Sequence, residues 1–516
     1  MAILGTLLKK GIMLRESLEQ LYTSPLDLQK QELRNLLINC QFTKVGTEYD
    51  FTKILTAFKS EDKDAFYQSF KSVVPIFDYD SMYEKWWWMT KEGQKDVSWP
   101  GRIKYFALSS GTSGSPSKYI PITRDMVKSI RKTSMRQILT MSKYDLPASL
   151  FSKGILMLGG STELTKSSHY YEGDLSGITA SQIPFWFQHF YKPGKKIAKN
   201  KDWNEKLEEI VKSASEWDIG IIAGVPAWLQ ILIEKIIEHY QVDTIHDIWP
   251  NLQIFVHGGV SFEPYKRSFE KLMGRNMLYM ETYLASEGFI AFQAFPDRKS
   301  MRLVLNNGIF YEFIPFSEQN FDEDGKMMEN APTIKIDEVD EGIDYAVLIT
   351  TNAGAWRYMI GDVIRFVSKS ESEILIAGRT KLFMNLCGEH LSLDNLNKAI
   401  ELVEEEMDID VREFTLLGEP DGSLFAHNWY VGTDNLVDEK QLEEKIDFFL
   451  KRINDDYRTE RTSALKKVKV NVLSPSTFYH WMEEHGKVGS QNKFPRVLKK
   501  DKALNWKEFL LNLKKE

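Results

Sequence analysis

Cysteine is almost missing from this chain: Cys40 and Cys387 are the two in 516 residues. They offer no disulfide framework, and their distance in sequence gives no metal-ligand spacing. That usage fits a reducing compartment. Long apolar runs are missing too. No stretch approaches membrane-spanning length, and the apolar start Met1–Leu8 is interrupted by Lys9 and Lys10, too short for a secretory core. A soluble, cytoplasmic protein with no membrane partner is expected. Positive charge is not in excess: 66 Lys and Arg stand against 73 Asp and Glu, for a net charge of −7. That balance argues against nucleic-acid or anionic-membrane binding. There is no His-Glu-x-x-His zinc signature, and His480 and His485 do not share a helix face. Proline is sparse at 17, and 43% of residues are hydrophobic, so a core can form without staples. The length is too great for one core and predicts two or three domains.

The first hundred residues read as helical, with amphipathic stretches at 14–21 and 29–39 and a bulky trio, Trp86, Trp87 and Trp88, whose plain reading is packing. From 101 to about 300, short apolar strands such as 155–158 and 253–256 alternate with helix-like segments at 203–213, 227–240 and 264–273. That alternation predicts a layered α/β core with substantially parallel pairing. Near 301 the character changes to strands joined by short turns (302–305, 310–314, 344–350, 362–367, 373–376), which suggests a β-meander or a small barrel. Gly378-Arg379-Thr380-Lys381 interrupts that pattern. A helix at 393–406, a hairpin around Pro420-Asp421-Gly422, a helix at 440–454 and a strand at 467–472 then form a smaller α+β unit. The expected division is a large α/β domain over 1–379 and a small, mobile α+β domain over 380–516.

The most informative stretch is 105–121, in which an apolar strand-like run breaks into Ser109-Ser110-Gly111-Thr112-Ser113-Gly114-Ser115-Pro116-Ser117-Lys118 before a helix-like segment from about Thr123. Such a loop can turn backbone N–H groups and hydroxyls toward one anion, and its glycines let the backbone approach closely. The phosphate chain of a nucleotide is the expected guest. It is not a Walker loop, which would need glycine at 116 and lysine at 117, where Pro116 and Ser117 stand. A flexible Ser/Gly linker is the competing reading; the flanking strand and helix signals argue against it.

Three further segments supply what the loop lacks. In Thr282-Tyr283-Leu284-Ala285-Ser286-Glu287-Gly288, Glu287 is a carboxylate among apolar residues. Magnesium delivered with a nucleotide takes oxygen ligands, often only one or two protein carboxylates, which makes Glu287 the candidate; Ser286 can donate to an α-phosphate. In Tyr358-Met359-Ile360-Gly361-Asp362-Val363, Asp362 at the start of a strand can accept both ribose hydroxyls, although Gly-Asp is also a common hairpin start. Gly486 to Arg496 is a glycine-bearing basic loop that could bring Lys493 into a site on the other domain. Cys387, with Glu389 and His390 nearby, invites a thiol-nucleophile reading, but residues so close in sequence rarely form a triad. His169 reads as a loop histidine, with lining of an acyl pocket as the alternative.

Together these four segments resemble the adenylate-forming superfamily of acyl-CoA synthetases, adenylation domains and luciferases. They are most similar to its Gretchen Hagen branch, the auxin-responsive acyl-acid–amido synthetases and their bacterial relatives. The resemblance rests on 109–121, on Tyr-x-x-Ser-Glu at 283–287, on Tyr-x-x-Gly-Asp-Val at 358–363 and on Gln-Asn-Lys-Phe-Pro-Arg at 491–496. It implies ATP and Mg²⁺ as cofactors, with Ser109, Ser110, Gly111, Thr112 and Ser113 around the β- and γ-phosphates. It further implies Gly258, Gly259 and Val260 as an adenine-side loop, Tyr283 against the adenine, Glu287 on Mg²⁺, Asp362 on the ribose and Arg379 assisting at the hinge. Lys493 would bridge the acid's carboxylate and the α-phosphate. The implied activity is conversion of a carboxylic acid to acyl-AMP and transfer to an amine, expected to be an amino acid, by a monomer or dimer. Thioester formation on coenzyme A and a non-catalytic nucleotide-binding protein are the alternatives. The tip Ser115-Pro116-Ser117 departs from the glycine or charged residues of many relatives, and no motif marks the acyl pocket.

Overall fold

The structure is a computed structural model, and it describes residues 24–62, 64–109, 118–144, 146–183, 187–259, 262–295, 298–322, 325–380, 383–389, 391–422, 424–484, 494–498 and 500–513. The helical reading of 14–21 therefore lies outside the described residues. Fifteen strands build the first three-quarters of the chain. They are β1 (Tyr105–Ser109), β2 (Lys118–Ile122), β3 (Gly154–Met157), β4 (Thr165–Lys166), β5 (Tyr171–Gly173), β6 (Tyr191–Lys192), β7 (Ile219–Gly224) and β8 (Ile254–Gly258). After these come β9 (Leu278–Ala285), β10 (Gly288–Phe292), β11 (Met301–Leu303), β12 (Ile309–Pro315), β13 (Asp344–Thr351), β14 (Tyr358–Ser368) and β15 (Glu373–Arg379).

Eleven of them form one sheet in the order β12-β13-β14-β15-β11-β10-β9-β8-β7-β3-β6. The β6-β3-β7-β8-β9 half is parallel. Helices Pro226–Tyr240 and Glu263–Glu270 carry the chain from β7 to β8 and from β8 to β9, as parallel neighbours require. The other half is antiparallel, and β12 to β15 follow one another as a meander. Of the two forms expected after residue 301 the meander is the one found, continuous with the parallel half through β11 and β10. The reason is local: β12 and β13 are buried along nearly their whole length, so both faces must be covered. Helix Pro25–Cys40 covers the β12 end. Its buried Gln29 side chain donates to Leu305 O (2.7 Å) and Ile309 O (3.0 Å) and accepts from Tyr311 N (2.7 Å). Inside the meander, Arg357 makes a forked ion pair with Glu312 (Nη2–Oε1 2.8 Å), the two side chains being 5% and 1% exposed.

A second, four-stranded sheet has the order β2-β1-β5-β4. Between Lys118, where the loop was expected to end, and the helix expected from about Thr123, the structure adds a strand over 118–122, antiparallel to β1 and pairing Ser109 with Lys118. The helix begins after it, at Arg124–Thr140, capped by Thr123. The Ser/Gly segment thus joins two paired strands. The tryptophan trio divides, with Trp86 and Trp87 buried and Trp88 42% exposed.

The C-terminal part begins with β16 (Phe383–Met384) and β17 (Leu391–Ser392), followed by β18 (Val411–Asp421), β19 (Leu424–Thr433) and β20 (Leu465–Leu473) in a three-stranded sheet. Helices Leu393–Met407 and Glu439–Ile453 pack with it, and Asp455–Thr462, Pro475–Glu484 and Lys500–Leu513 complete the unit. Helix Asp455–Thr462, polar along most of its length, escaped the sequence reading. Among the described residues no helix is long and apolar enough to cross a membrane.

Candidate active site

Ligands of open α/β sheets bind beyond the carboxyl ends of the parallel strands, and the site residues gather there. Strand β8 ends at Gly258, which lies opposite Thr282 of β9. A Cβ on Gly258 would stand 2.5 Å from Thr282 O, so glycine is what lets the two strand ends close up. Gly259 follows with φ +84°, a backbone state open chiefly to glycine. Val260, the third member of the expected adenine-side loop, lies outside the described residues.

Within the segment 282–288, Thr282 to Ala285 are the end of β9, and only Ser286 and Glu287 form the turn into β10. This hairpin fixes Tyr283 on a strand facing the meander. Its hydroxyl donates to Asp362 Oδ2, and burial raises the Tyr283 pKa well above its ordinary value, so it stays a donor. Gly361 (φ +83°) turns the chain just before Asp362. Across the β14–β15 ladder Asp362 pairs with Arg379, whose Nε lies 3.1 Å from Asp362 Oδ1. The Arg379 guanidinium also donates to Ile360 O at 3.1 Å. Asp362 Oδ2 thus accepts the Tyr283 hydroxyl, while Oδ1 meets Arg379 as an ion pair without hydrogen-bond geometry and keeps lone pairs to offer. Its side chain is 15% exposed and that of Arg379 31%, which puts the pair at the edge of an opening.

Glu287 sits beside this trio. Burial raises its carboxyl pKa, Lys118 opposes the rise, and Asp362 adds to it. A carboxylate held back by burial and by a neighbouring negative charge gains from a cation placed against it. Lys118 is a contributor the sequence reading named only as the end of the loop; it sits at the start of β2, over the ring of Tyr79 at 5.3 Å. Among the described residues no cluster of three His, Cys, Asp or Glu side chains suits a metal. A cation on Glu287 would therefore draw other ligands from phosphate and water, as Mg²⁺ commonly does.

Next to this polar cluster opens a cavity of about 810 Å³ that the sequence did not reveal. Its wall runs from Ser286, Thr282, Gly258 and Gly259 past Val225 and Trp228 to Leu158 and Gly159. Most of that surface is aliphatic or aromatic, with a few polar groups, as small-molecule sites are. The structure brings Gly258, Gly259 and Ser286 to the cavity and joins Tyr283, Asp362, Arg379 and Glu287 beside it. Ser109 ends β1. Ser110, Gly111, Thr112, Ser113 and Lys493 lie outside the described residues.

Two other candidates fall elsewhere. Cys387 is buried 3.4 Å from Glu389 Oε2, and burial pushes its thiol pKa well up, so it is an inert thiol. The histidine paired with Glu389 is His427 at 2.9 Å; burial opposes ionisation there, but the His427 hydrogen bond holds Glu389 down to about 2. His169 packs its ring against Gly93 and is not in the cavity wall.

Comparison with known proteins agrees with this architecture. Models of the GH3 family match as its N-terminal domain (residues 14–207 and 162–278), its central domain (302–373) and its C-terminal domain (394–502). A jasmonoyl–L-amino acid synthetase of Oryza sativa subsp. japonica is 27% identical over 49% of this chain and 46% of its own length. An indole-3-acetic acid-amido synthetase of Arabidopsis thaliana is 24% identical over 49% and 45%. The match therefore spans about half the length of these curated relatives. Among solved structures, the GH3.15 acyl acid amido synthetase covers 96% of this chain and 95% of its own at a TM-score of 0.58 and 19% identity. A 2-hydroxyisobutyryl-CoA ligase covers 95% and 92% at 0.57 and 11%. The fold is thus the one shared by amido synthetases and acyl-CoA ligases. With the N-terminal model alone spanning more than half of the sequence, the chain belongs to the GH3 family.

Proposed function

We propose that this protein joins a carboxylic acid to an amine, an amino acid, in two steps that consume ATP. In the first, a carboxylate oxygen attacks the α-phosphorus and pyrophosphate leaves, giving an acyl-AMP. In the second, the neutral amine nitrogen attacks the acyl carbon, the bond to the AMP oxygen breaks, and the nitrogen gives up one proton to leave an amide. The observation that carries the reading is the junction of the Tyr283–Asp362–Arg379 cluster and Glu287 with an apolar cavity at the carboxyl ends of β8 and β9. One compartment suits the polar end of a nucleotide and the next suits an organic acid's body.

In this reading Asp362 uses its remaining lone pairs on the ribose, with Arg379 and Tyr283 holding its orientation, and Gly258 and Gly259 give adenine-side backbone. Tyr283 also presents its ring to the base. Ser286 donates to the α-phosphate. Ser109, Ser110, Gly111, Thr112 and Ser113 take the β- and γ-phosphates, and Lys493 bridges the two reactants. Glu287 would hold Mg²⁺, which supplies positive charge against the phosphates. Aligning acid and nucleotide, and offsetting charge as it develops, are the main catalytic terms. Residues 1–379 and 380–516 act as two lobes with the hinge at 379–382, so that Lys493 serves the first step and withdraws for the second.

The test is ATP–pyrophosphate exchange over a panel of carboxylic acids, then mass spectrometry of the productive mixture with amino acids or with coenzyme A. Acid-dependent exchange followed by an amide is expected. Exchange with no acid would refute the reading, and a thioester would replace the acceptor. Lys493→Ala should lower exchange by roughly 10²–10³, as loss of one preorganised donor does; an unchanged rate removes Lys493 from the mechanism.

A further inference from the structure

The far wall of the cavity holds two opposite charges that the proposed chemistry leaves unused. Lys206 lies in the first turns of helix Trp203–Ser213, on its buried face with Leu207, Ile210 and Val211. It is 4% exposed, whereas of the cavity's other lysines and arginines Lys128, Arg131 and Lys132 are exposed and Arg136 is half-buried. Among the described residues Lys206 forms no ion pair, and its Nζ donates to Gly159 O at 3.2 Å. An ammonium group has three donors, and burying a charge with one neutral acceptor is costly. Burial accordingly lowers the Lys206 pKa, with Asp174 opposing.

Asp174 shares the wall. It is the N-cap of helix Leu175–Ser181, yet its side chain makes no capping hydrogen bond, although capping is what aspartate ordinarily does at that position. The carboxylate instead lies against the next residue after the Lys206 contact: a Cβ on Gly160 would stand 2.1 Å from Asp174 Oδ2. The lysine and the aspartate therefore flank one dipeptide, Gly159-Gly160, just beyond the end of β3, and no ion pair joins them. Asp455 and Asp456, on helix Asp455–Thr462 of the C-terminal part, add negative potential at Asp174. This end of the cavity is also where that helix meets the large domain, since Trp228 Nε1 donates to Glu460 at 3.1 and 3.2 Å.

We propose that Lys206 and Asp174 form the acceptor subsite, Lys206 taking the carboxylate of a free α-amino acid and Asp174 its amino group. The inference rests on the amide-forming reading and adds to it the residue that reads the acceptor. A zwitterion supplies the buried ammonium with the anion it lacks and gives Asp174, which is exposed, a cation in place of water. A simple amine supplies one, and an apolar nucleophile neither. Lys206 is then a specificity residue, with no part in forming the acyl-AMP.

The experiment uses the full chain, wild type and Lys206→Met, with exchange measured on the acid alone and amide formation measured with α-amino acids and the corresponding decarboxylated amines. The loss in Lys206→Met should fall on the amino-acid KM, a rise of about 10- to 100-fold, the worth of one charged hydrogen bond. The KM for the decarboxylated amine should hardly move, and Lys206→Arg should recover part of the preference. A Lys206→Met protein that keeps the full preference, or that loses exchange in proportion to amide formation, would overturn the proposal. Wild type alone gives a check that needs no variant to fold: equal use of amino acids and decarboxylated amines also overturns it. Failure of exchange with every acid strikes the underlying function instead, and this subsite with it.

Discussion

Replacing Asp362 with asparagine tests whether the polar cluster reads a ribose. In the structure Asp362 gives one oxygen to the Tyr283 hydroxyl and the other to Arg379 Nε at 3.1 Å. Asparagine keeps one acceptor oxygen, brings an NH₂ group against a donor on one side or the other, and removes the negative charge. The cost in stability is modest, about 1 kcal/mol, because Arg379 remains 31% exposed and solvent takes over part of the interaction. The cost in nucleotide binding is larger. Two ribose hydroxyls would each lose a charge-assisted hydrogen bond, and one such bond is worth ~1.5–3 kcal/mol, or roughly 10- to 150-fold in ATP KM. The assay is pyrophosphate exchange with ATP and with 2′,3′-dideoxy-ATP. Wild type should discriminate against the dideoxy nucleotide by at least that factor, whereas Asp362→Asn should treat the two within a few-fold. If Asp362→Asn keeps the full discrimination while using ATP normally, Asp362 serves only to tie β14 to Arg379 and the ribose assignment is wrong.

Three other outcomes test the frame around the site. Glu312→Gln leaves Arg357 buried without its charge partner and should destabilise the protein by about 3–5 kcal/mol, the lower end being favoured because the amide can still accept from Tyr67 (3.0 Å in the wild type); an unchanged denaturant midpoint refutes it. Gly258→Ala forces a Cβ to within 2.5 Å of Thr282 O, so β8 and β9 must part at their ends, at a cost of about 1–3 kcal/mol. A raised ATP KM and a lower melting temperature are expected, and a variant that melts with wild type contradicts the close approach. Burial pushes Glu460 up to about 8 from its ordinary 4.5. The folded state therefore holds a proton that the unfolded chain releases, and stability falls as pH rises from about 4.5 to about 8, by up to ~1.4 kcal/mol per pH unit. Glu460→Gln keeps an acceptor for Trp228 and should flatten that slope; urea midpoints measured at pH 5 to 8.5 that still run parallel to wild type would exclude Glu460 as its source.

How far the sequence disclosed this molecule depends on the range over which each feature is written. Strands β12 to β15 were legible because each is a short run bounded by turn residues, and the meander pairs neighbours in sequence. The pairing of β15 with β11 was not, since it joins strands with three others between them. Strand β2 was missed because Pro121 breaks its pattern; the structure tolerates that proline because β2 is the edge of its sheet. The polar site was legible residue by residue, since Tyr283, Glu287, Asp362 and Arg379 are distinctive types beside glycines, although nothing in the chain says that Tyr283 meets Asp362.

The cavity illustrates the opposite limit. Its wall is made where β3, β7 and β8 end side by side, at Met157, Gly224 and Gly258, and the aliphatic residues around those ends have the composition of any core. Only a departure from that composition could have marked it. Lys206 is such a departure, because helix Trp203–Ser213 buries Leu207, Ile210 and Val211, and position 206 lies one turn before Ile210 on the same face. A lysine there normally reaches out along the helix to water. Here it is turned onto Gly159 and sealed, an arrangement that stays unfavourable until a negative group enters the cavity. On the proposed function, the information about which acceptor is used would therefore be carried less by the motifs that identify the family than by a charge placed where the apolar pattern had no need of one.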